Sequence, residues 1–174
     1  MKCRPVCLCL LAALPLLGCA PQYRTAADVA KATKVSRDPY SKTVWVNGPD
    51  IPYTQYGCSG SYFLRSLATR GGLNAIQLYV TYYSNQWAFL ESAISHDGTT
   101  LTTRGVDREV YGAGSIKEQV VVELPRSYLD AAADDTGLDI RVSGKRDSVI
   151  AKVEPHYIRG FLDKVDDPAT AATP

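Results

Sequence analysis

Residues capable of catalysis are sparse in this 174-residue chain. Ser95, His96 and Asp97 are the three side-chain types of a hydrolase triad, but they are consecutive in the sequence. Neighbouring residues on a strand or in a turn point in different directions, so this order does not bring a nucleophile, a base and an orienting acid together. We expect His96 to be a turn residue before Asp97-Gly98, a dipeptide typical of hairpins.

One cysteine remains for thiol chemistry. Cys3, Cys7, Cys9 and Cys19 lie in or directly after an apolar N-terminal stretch, which leaves Cys58 as the free thiol of the remaining chain. Its surroundings, Gly57-Cys58-Ser59-Gly60-Ser61, lack the last glycine of the lipase-type Gly-x-Ser-x-Gly elbow. Three interpretations stay open: a buried small residue, an intermolecular disulfide, or a catalytic thiol with His96 or His156 as its base.

Metal, cofactor and nucleic-acid signals are missing from the sequence. The chain has two histidines and no closely spaced cysteine pair outside the N-terminal stretch, so zinc-site spacing is absent. The carboxylates of residues 130–135 lack the pattern of a calcium loop, and no Gly-rich phosphate loop is present. A formal net charge of +1 gives no basic excess for nucleic acid. We therefore predict no metal, no cofactor and no nucleic-acid partner.

Tyrosine is the most frequent aromatic residue, with 11 Tyr against 2 Trp and 3 Phe. Tyr79 and Tyr83 alternate with apolar residues on one predicted strand, so both are expected to point away from the core. Tyr53 and Tyr56 lie in a Pro-interrupted segment nearby. Tyrosine suits protein or glycan interfaces, although it also simply favours strands. These four tyrosines are the candidate binding face.

Strand-like runs follow one another with tight turns between them. The predicted strands cover residues 43–46, 61–68, 75–83, 86–94, 99–103, 106–111, 119–124, 138–142 and 149–153. Short connections favour antiparallel pairing. The sequence predicts a mainly β fold, either an antiparallel β-sandwich or a strongly bent sheet. Two short helices are expected in the C-terminal half, one after Pro125 and one over residues 154–165.

The N-terminus has the pattern of a secretory signal peptide. A positive start is followed by an apolar run from Val6 to Leu17 and by the small residue Gly18. That run is too short for a membrane span, which needs about 20 apolar residues. The predicted organisation is a signal peptide over 1–18, a lipidated N-terminus and flexible tether over 19–41, a single β-rich domain over 42–165, and a disordered tail over 166–174.

Leu16-Leu17-Gly18-Cys19 resembles the lipobox of bacterial lipoproteins. The resemblance implies cleavage before Cys19, a diacylglycerol on its sulfur and acylation of its new N-terminus. Ala20 at the next position, where Asp would act as a retention signal, implies sorting to the outer membrane of a Gram-negative bacterium. Two or three acyl chains anchor a protein stably, since each buried methylene contributes about 0.8 kcal/mol. We expect a lipid-anchored protein that faces the periplasm.

The segment from Ile76 to Gly98, with Tyr82-Tyr83, Trp87 and Phe89, is similar to small uncharacterised envelope lipoproteins of Gram-negative bacteria. This similarity implies no site residues. The function we predict is a non-enzymatic binding or structural module that recognises an envelope protein or glycan. The alternatives are an envelope hydrolase or thiol enzyme that uses Cys58 with a histidine, and a carrier that encloses a small ligand in an apolar cavity.

Overall fold

Alternating apolar and polar residues form antiparallel strands through most of the computed structural model, which describes residues 23–55, 58–69, 72–112, 114–167 and 170. In chain order the elements are α1 (Ala26–Ala32), β1 (Lys34–Asp38), β2 (Thr43–Asn47), β3 (Ile51–Gln55), β4 (Cys58–Thr69), β5 (Gly72–Ser84), β6 (Ser92–Ser95), β7 (Thr100–Leu101), β8 (Thr103–Tyr111), β9 (Ser115–Leu124), α2 (Arg126–Asp134), β10 (Leu138–Ser143), β11 (Ser148–Val153) and α3 (Pro155–Asp166). The predicted mainly β, antiparallel fold is confirmed.

The strands form two sheets. The large sheet has seven strands in the order β1-β2-β4-β5-β9-β8, with β3 paired to β4 as well. The small sheet has the order β11-β10-β6-β7. The strand β5 shows the predicted alternation, because Ile76, Leu78, Val80 and Tyr82 are all at most 3% exposed. They belong to one apolar core cluster together with Ile140 and Val149 of the small sheet, so we call this side of the large sheet its inner face.

Polar side chains join the two sheets across the core. The Gln55 amide donates from Nε2 to the Ile150 carbonyl at 2.6 Å and accepts from the Ile150 N–H at 3.0 Å. The Tyr62 hydroxyl donates to the Lys152 carbonyl. Gln55 therefore satisfies both backbone groups of a residue on β11, at the edge of the small sheet, where an unpaired strand would otherwise expose them.

The predicted flexible tether over 19–41 is wrong for most of its described residues, because these form α1 and β1, and the folded domain begins before residue 42. Thr25 and Asp28 form a capping box at the start of α1, in which each side chain accepts a hydrogen bond from the other residue's N–H. The strand β1 then pairs with β2, from Lys34 opposite Asn47 to Asp38 opposite Thr43. No apolar stripe predicts this helix because it buries a single side chain, Val29.

The helix α1 is held by close contact with α3. A Cβ placed on Gly160 would lie 2.2 Å from the Ala26 carbonyl oxygen, so only glycine permits this approach. The helix α3 was predicted from its apolar spacing, and Ile158, Phe161 and Leu162 are buried as expected.

The predicted tail over 166–174 is only partly described. Asp166 belongs to α3, and its carboxylate accepts two hydrogen bonds of 2.7 Å from Arg126. Thr170 is 4% exposed. A disordered tail is therefore wrong for these two positions, while residues 168, 169 and 171–174 lie outside the described residues.

The predicted strand over 86–94 is wrong for residues 86–91, because β6 covers only Ser92–Ser95. Residues 85–91 instead form an irregular connection whose N–H groups point at the carboxylate of Glu118 on β9. That carboxylate is fully buried and accepts from the N–H groups of Ala88, Phe89 and Leu90 at 2.6, 3.0 and 3.2 Å. Arg108 on β8 supplies the balancing charge, with Nε 3.2 Å from Glu118. The Phe89 backbone has φ +56°, in the left-handed region.

We expect Glu118→Gln to destabilise the fold by about 3 kcal/mol, because it removes the charge that balances Arg108 and replaces an acceptor oxygen by an amide donor. The midpoint of urea unfolding, at constant slope, measures the change. Glu123→Gln on the same strand is the matched control, since Glu123 is exposed and its substitution should cost less than about 0.5 kcal/mol. Equal midpoint shifts for the two variants would contradict a supporting role for Glu118.

Candidate functional site

Aromatic and cationic side chains gather on the face of the large sheet that points away from the small sheet. Alternation places Trp45 of β2, Phe63 and Arg65 of β4, and Tyr79 and Tyr83 of β5 on this side. We call these five residues the outer aromatic face. Trp45, Phe63, Arg65 and Tyr83 are partly exposed, and Tyr79 is 9% exposed.

Arg65 is the centre of this face. Its guanidinium carbon lies 3.8 Å from the centroid of the Trp45 ring and 5.4 Å from that of Tyr79. Nη1 also donates to the Tyr79 hydroxyl at 3.1 Å. A guanidinium over an aromatic face is attracted by the ring quadrupole, and the hydrogen bond fixes its direction. Arg65 is therefore held in one geometry before any partner arrives.

Phe63 extends the stack along the sheet. Its ring lies 5.0 Å from that of Tyr79, with 14° between the ring planes, and the two residues are direct cross-strand partners. Aromatic pairs opposite each other contribute about 0.2–1 kcal/mol to a sheet. The stack of Trp45, Arg65, Tyr79 and Phe63 thus crosses three strands, β2, β4 and β5.

The four predicted tyrosines do not form one face. Tyr79 and Tyr83 are on the outer side as predicted, although Tyr79 is much less exposed than a binding residue on an open strand would be. Tyr53 belongs to the inner side, where its hydroxyl donates to the Thr81 carbonyl at 2.8 Å. Burial raises the pKa of Tyr53 well above its ordinary value. The prediction failed for Tyr53 because its cross-strand partner is Gly60. Glycine has no side chain, so the Tyr53 ring packs over it on the inner side of the sheet. Tyr56 lies outside the described residues.

Sequence reasoning missed Trp45, Phe63 and Arg65 as members of this face. The alternation of β4 carries the signal, since Tyr62 and Leu64 predict which side is buried and therefore where Phe63 and Arg65 point. Trp45 could not be added, because the pairing of β2 with β4, Trp45 opposite Leu67, is a long-range contact that local pattern does not reveal.

Cys58 is buried, in agreement with the first of the three interpretations, a buried small residue. It is 3% exposed, and its thiol donates to the Gln55 carbonyl at 2.8 Å. Burial raises the pKa of the Cys58 thiol, and the nearby carboxylate of Asp147 raises it further. A polar cavity of about 170 Å³ lies beside it, lined by Tyr82, Trp87 and Asp147 among others and by no histidine. A protonated thiol without a base is a poor nucleophile.

Asp147 also binds a buried tyrosine in this cavity. The Tyr82 hydroxyl donates to the Asp147 carboxylate at 2.7 Å. Burial and this interaction raise the pKa of Tyr82 to about 12. Cys58 and Tyr82 are therefore both kept protonated at neutral pH, which suits a structural contact better than proton transfer.

Ser95, His96 and Asp97 form a turn, as predicted. The Ser95 hydroxyl donates to the Asp97 carboxylate, and the Ser95 N–H donates to the Thr99 carbonyl at 3.0 Å. Gly98 has φ +88°, the conformation that lets the chain reverse here. The serine and aspartate are thus bonded to each other, and the histidine is exposed outside them.

His156 is not placed to act as a base for Cys58, since its Nε2 lies 2.8 Å from the Tyr23 carbonyl oxygen and it does not line the cavity beside Cys58. Within the described ranges, no cluster of three or more His, Cys, Asp or Glu residues could hold a metal ion. No helix in the same part of the chain is long and apolar enough to cross a bilayer. Cys19 and the signal segment lie outside the described residues.

Comparison of the chain with protein-family models, with curated proteins and with solved structures finds no match. The similarity to envelope lipoproteins therefore stays a prediction.

We expect Cys58 to react slowly with a maleimide in the folded state. A chain that is made to begin at residue 19 and carries Cys19→Ser has Cys58 as its only thiol, and burial together with the raised pKa keeps that thiol protonated. The labelling rate should rise by at least about a hundredfold in denaturant, where the thiol regains its ordinary pKa and full access. Labelling that is equally fast with and without denaturant would contradict the buried interpretation and favour a reactive thiol.

Proposed function

We propose that this chain is a lipoprotein of the Gram-negative outer membrane, anchored by lipid on Cys19, and that its β domain binds another envelope protein through the outer aromatic face. The observation that supports the binding role most strongly is the ordered stack of Trp45, Arg65 and Tyr79. Trp, Tyr and Arg are the residues that contribute most to protein–protein binding energy.

The stack favours a protein over a glycan. A sugar ring needs an open aromatic face, whereas Arg65 already covers one face of Trp45 and Tyr79 is largely buried. The Arg65 side chain as a whole remains partly exposed, although its Nε is buried without a hydrogen-bond partner. A guanidinium carries only hydrogen-bond donors, so its accessible part suits a carboxylate or a backbone carbonyl of a protein surface. Because Arg65 is already ordered, binding costs little of the side-chain entropy that association usually loses.

The two alternative functions have less support. For a thiol or serine hydrolase, Cys58 lacks a histidine among its contacts and Ser95 donates to its own turn. For a carrier of an apolar ligand, the space between the sheets is occupied by side chains, and Leu78, Val80 and Ile140 are 0% exposed. The binding module is the function that the described residues support best.

The anchor is tested by Cys19→Ser. We expect the wild-type protein in the membrane fraction, and the variant either soluble or retained as the uncleaved precursor, because serine cannot form the thioether that carries the lipid. Fractionation of cells followed by gel mobility distinguishes these forms. Cys9→Ser, within the predicted signal segment, is the matched control and should behave as wild type. A Cys19→Ser protein that is cleaved and sediments with membranes like the wild type would contradict the proposal.

The binding face is tested by photo-crosslinking in intact cells. A photoreactive phenylalanine analogue at Phe63 or Tyr83 should yield a discrete crosslinked protein, and the same group at Ile94, on the outer side of the small sheet, should not. Arg65→Ala should weaken that crosslink about thirtyfold, the effect of losing a residue worth about 2 kcal/mol in an interface. Arg65→Lys should restore only part of it, since lysine keeps the charge without the planar stack.

Two results would overturn the binding face. One is a crosslink of equal yield at Phe63 and Ile94, which would indicate nonspecific proximity. The other is a crosslinked species that survives Arg65→Ala unchanged. A crosslink to glycan instead of protein would retain the face as a binding site but contradict the class of partner.

A further inference from the structure

The described chain is fixed to the folded body from its first residue. The Tyr23 carbonyl oxygen lies 2.8 Å from Nε2 of His156, at the start of α3. Two residues later, Thr25 caps α1, whose Val29 is fully buried. Tyr23 also lines a cavity of about 470 Å³ with Lys34, Asp50 and Phe63. Tyr23 therefore marks a definite place on the surface.

Only a short length of chain separates that place from the proposed lipid. Four residue steps lead from Cys19 to Tyr23, and a fully extended chain covers at most about 3.6 Å per residue. The lipid-bearing residue is therefore within about 14 Å of Tyr23 along any path. The spacer expected from the sequence, which reached to residue 41, would have allowed a much greater distance.

Charge is distributed unevenly between this region and the remainder of the domain. Residues 23–42 contain five Lys or Arg and two Asp, a net charge of +3. Residues 43–167 contain twelve Lys or Arg against sixteen Asp or Glu, a net charge of −4. Lys31 and Lys34 are exposed. Lys34 shares the cavity with Tyr23, and Lys31 lies three residues before it.

Asp28 and Asp38, the two acidic residues of this region, are already counted in its net charge of +3. The pKa of Asp28 is lowered by its hydrogen bond with Thr25 and by the N–H groups of Thr25 and Arg24, so its carboxylate is used in the cap of α1. Asp50 is the carboxylate among the residues that line the same cavity as Lys34. The surface around Tyr23 thus keeps a positive excess next to the point where the anchor is attached.

We propose that the surface formed by α1 and β1 around Tyr23 lies against the bilayer and binds the headgroups of anionic phospholipids through Lys31 and Lys34. This inference rests on the proposed lipid anchor at Cys19. A basic group near an anionic membrane surface gains about 1 kcal/mol, which corresponds to about fivefold in a binding equilibrium. The short spacer and the charge together fix the orientation of the domain, with its acidic remainder directed away from the lipid.

The two tryptophans allow this orientation to be measured. Trp45 and Trp87 lie near opposite ends of β4. Trp45 pairs with Leu67, and Trp87 follows the end of β5, where Tyr83 pairs with Ser59. Eight residue steps along β4 separate Ser59 from Leu67, or about 26 Å. Trp45 lies on β2, paired with β1, which belongs to the proposed membrane surface. Trp45 should therefore be the nearer of the two to the bilayer.

In the experiment, the mature chain is coupled through Cys19 to a maleimide phospholipid in vesicles of phosphatidylcholine and phosphatidylglycerol. The vesicles also contain a phospholipid with a dansyl-labelled headgroup, which accepts energy from tryptophan. Trp87→Phe leaves Trp45 as the donor, and Trp45→Phe leaves Trp87. We expect greater energy transfer from Trp45 than from Trp87. In the Trp87→Phe background, Lys31→Gln and Lys34→Gln should each reduce the population in this orientation about fivefold. Arg141→Gln and Lys152→Gln, on the small sheet, should leave it unchanged.

Equal transfer from the two tryptophans, or transfer unaffected by Lys31→Gln with Lys34→Gln, would overturn the proposed membrane surface. Persistence of the orientation in vesicles of phosphatidylcholine alone would contradict the headgroup charge as its cause. Chemical coupling replaces cellular lipidation in this assay. A protein that is not lipidated in the cell is therefore recognised separately, by its fractionation, and the two failures remain distinguishable.

Discussion

The buried carboxylate of Glu118 is the constraint on which the arrangement of the two sheets depends. A buried carboxylate without partners is very costly inside a protein, so Glu118 needs hydrogen-bond donors and a balancing positive charge. Three N–H groups of residues 88–90 and the Arg108 guanidinium meet that requirement. The same connection contacts the small sheet, since the Ala88 carbonyl accepts from the Arg146 N–H. The contacts around Glu118 therefore connect β8 and β9 with residues 88–90, and those residues contact the β10–β11 hairpin.

Tyrosine has two separate uses in this fold. On the inner side, the hydroxyls of Tyr53, Tyr62 and Tyr82 each donate to an acceptor on a neighbouring segment, so they give the interior directional contacts that apolar residues lack. On the outer side, Tyr79 instead orders the arginine beside it. A high tyrosine content therefore does not by itself indicate a binding surface, and the outer aromatic face is distinguished by Arg65 and Trp45.

Local pattern predicted the elements that bury a regular apolar face, such as β5 with Ile76 to Tyr82 and α3 with Ile158 and Phe161. It failed where a tertiary contact decides the structure. The helix α1 depends on a close approach at Gly160, far away in sequence. Residues 86–91 contain strand-forming aromatics, yet the hydrogen bonds to Glu118 override that propensity. The candidate site was half predictable for the same reason: alternation gives Tyr79 its side, but strand pairing brings Trp45 to Arg65.

The proposed role depends on the first residue of the mature chain, because lipid there would hold the domain at a membrane and determine which partners it meets. The intact mass of the native protein, extracted from membranes in detergent, tests this most directly. We expect a chain that begins at Cys19 and carries the added mass of a diacylglycerol and an N-linked acyl group. A product that begins elsewhere, or one that begins at Cys19 with an unmodified thiol, would contradict it.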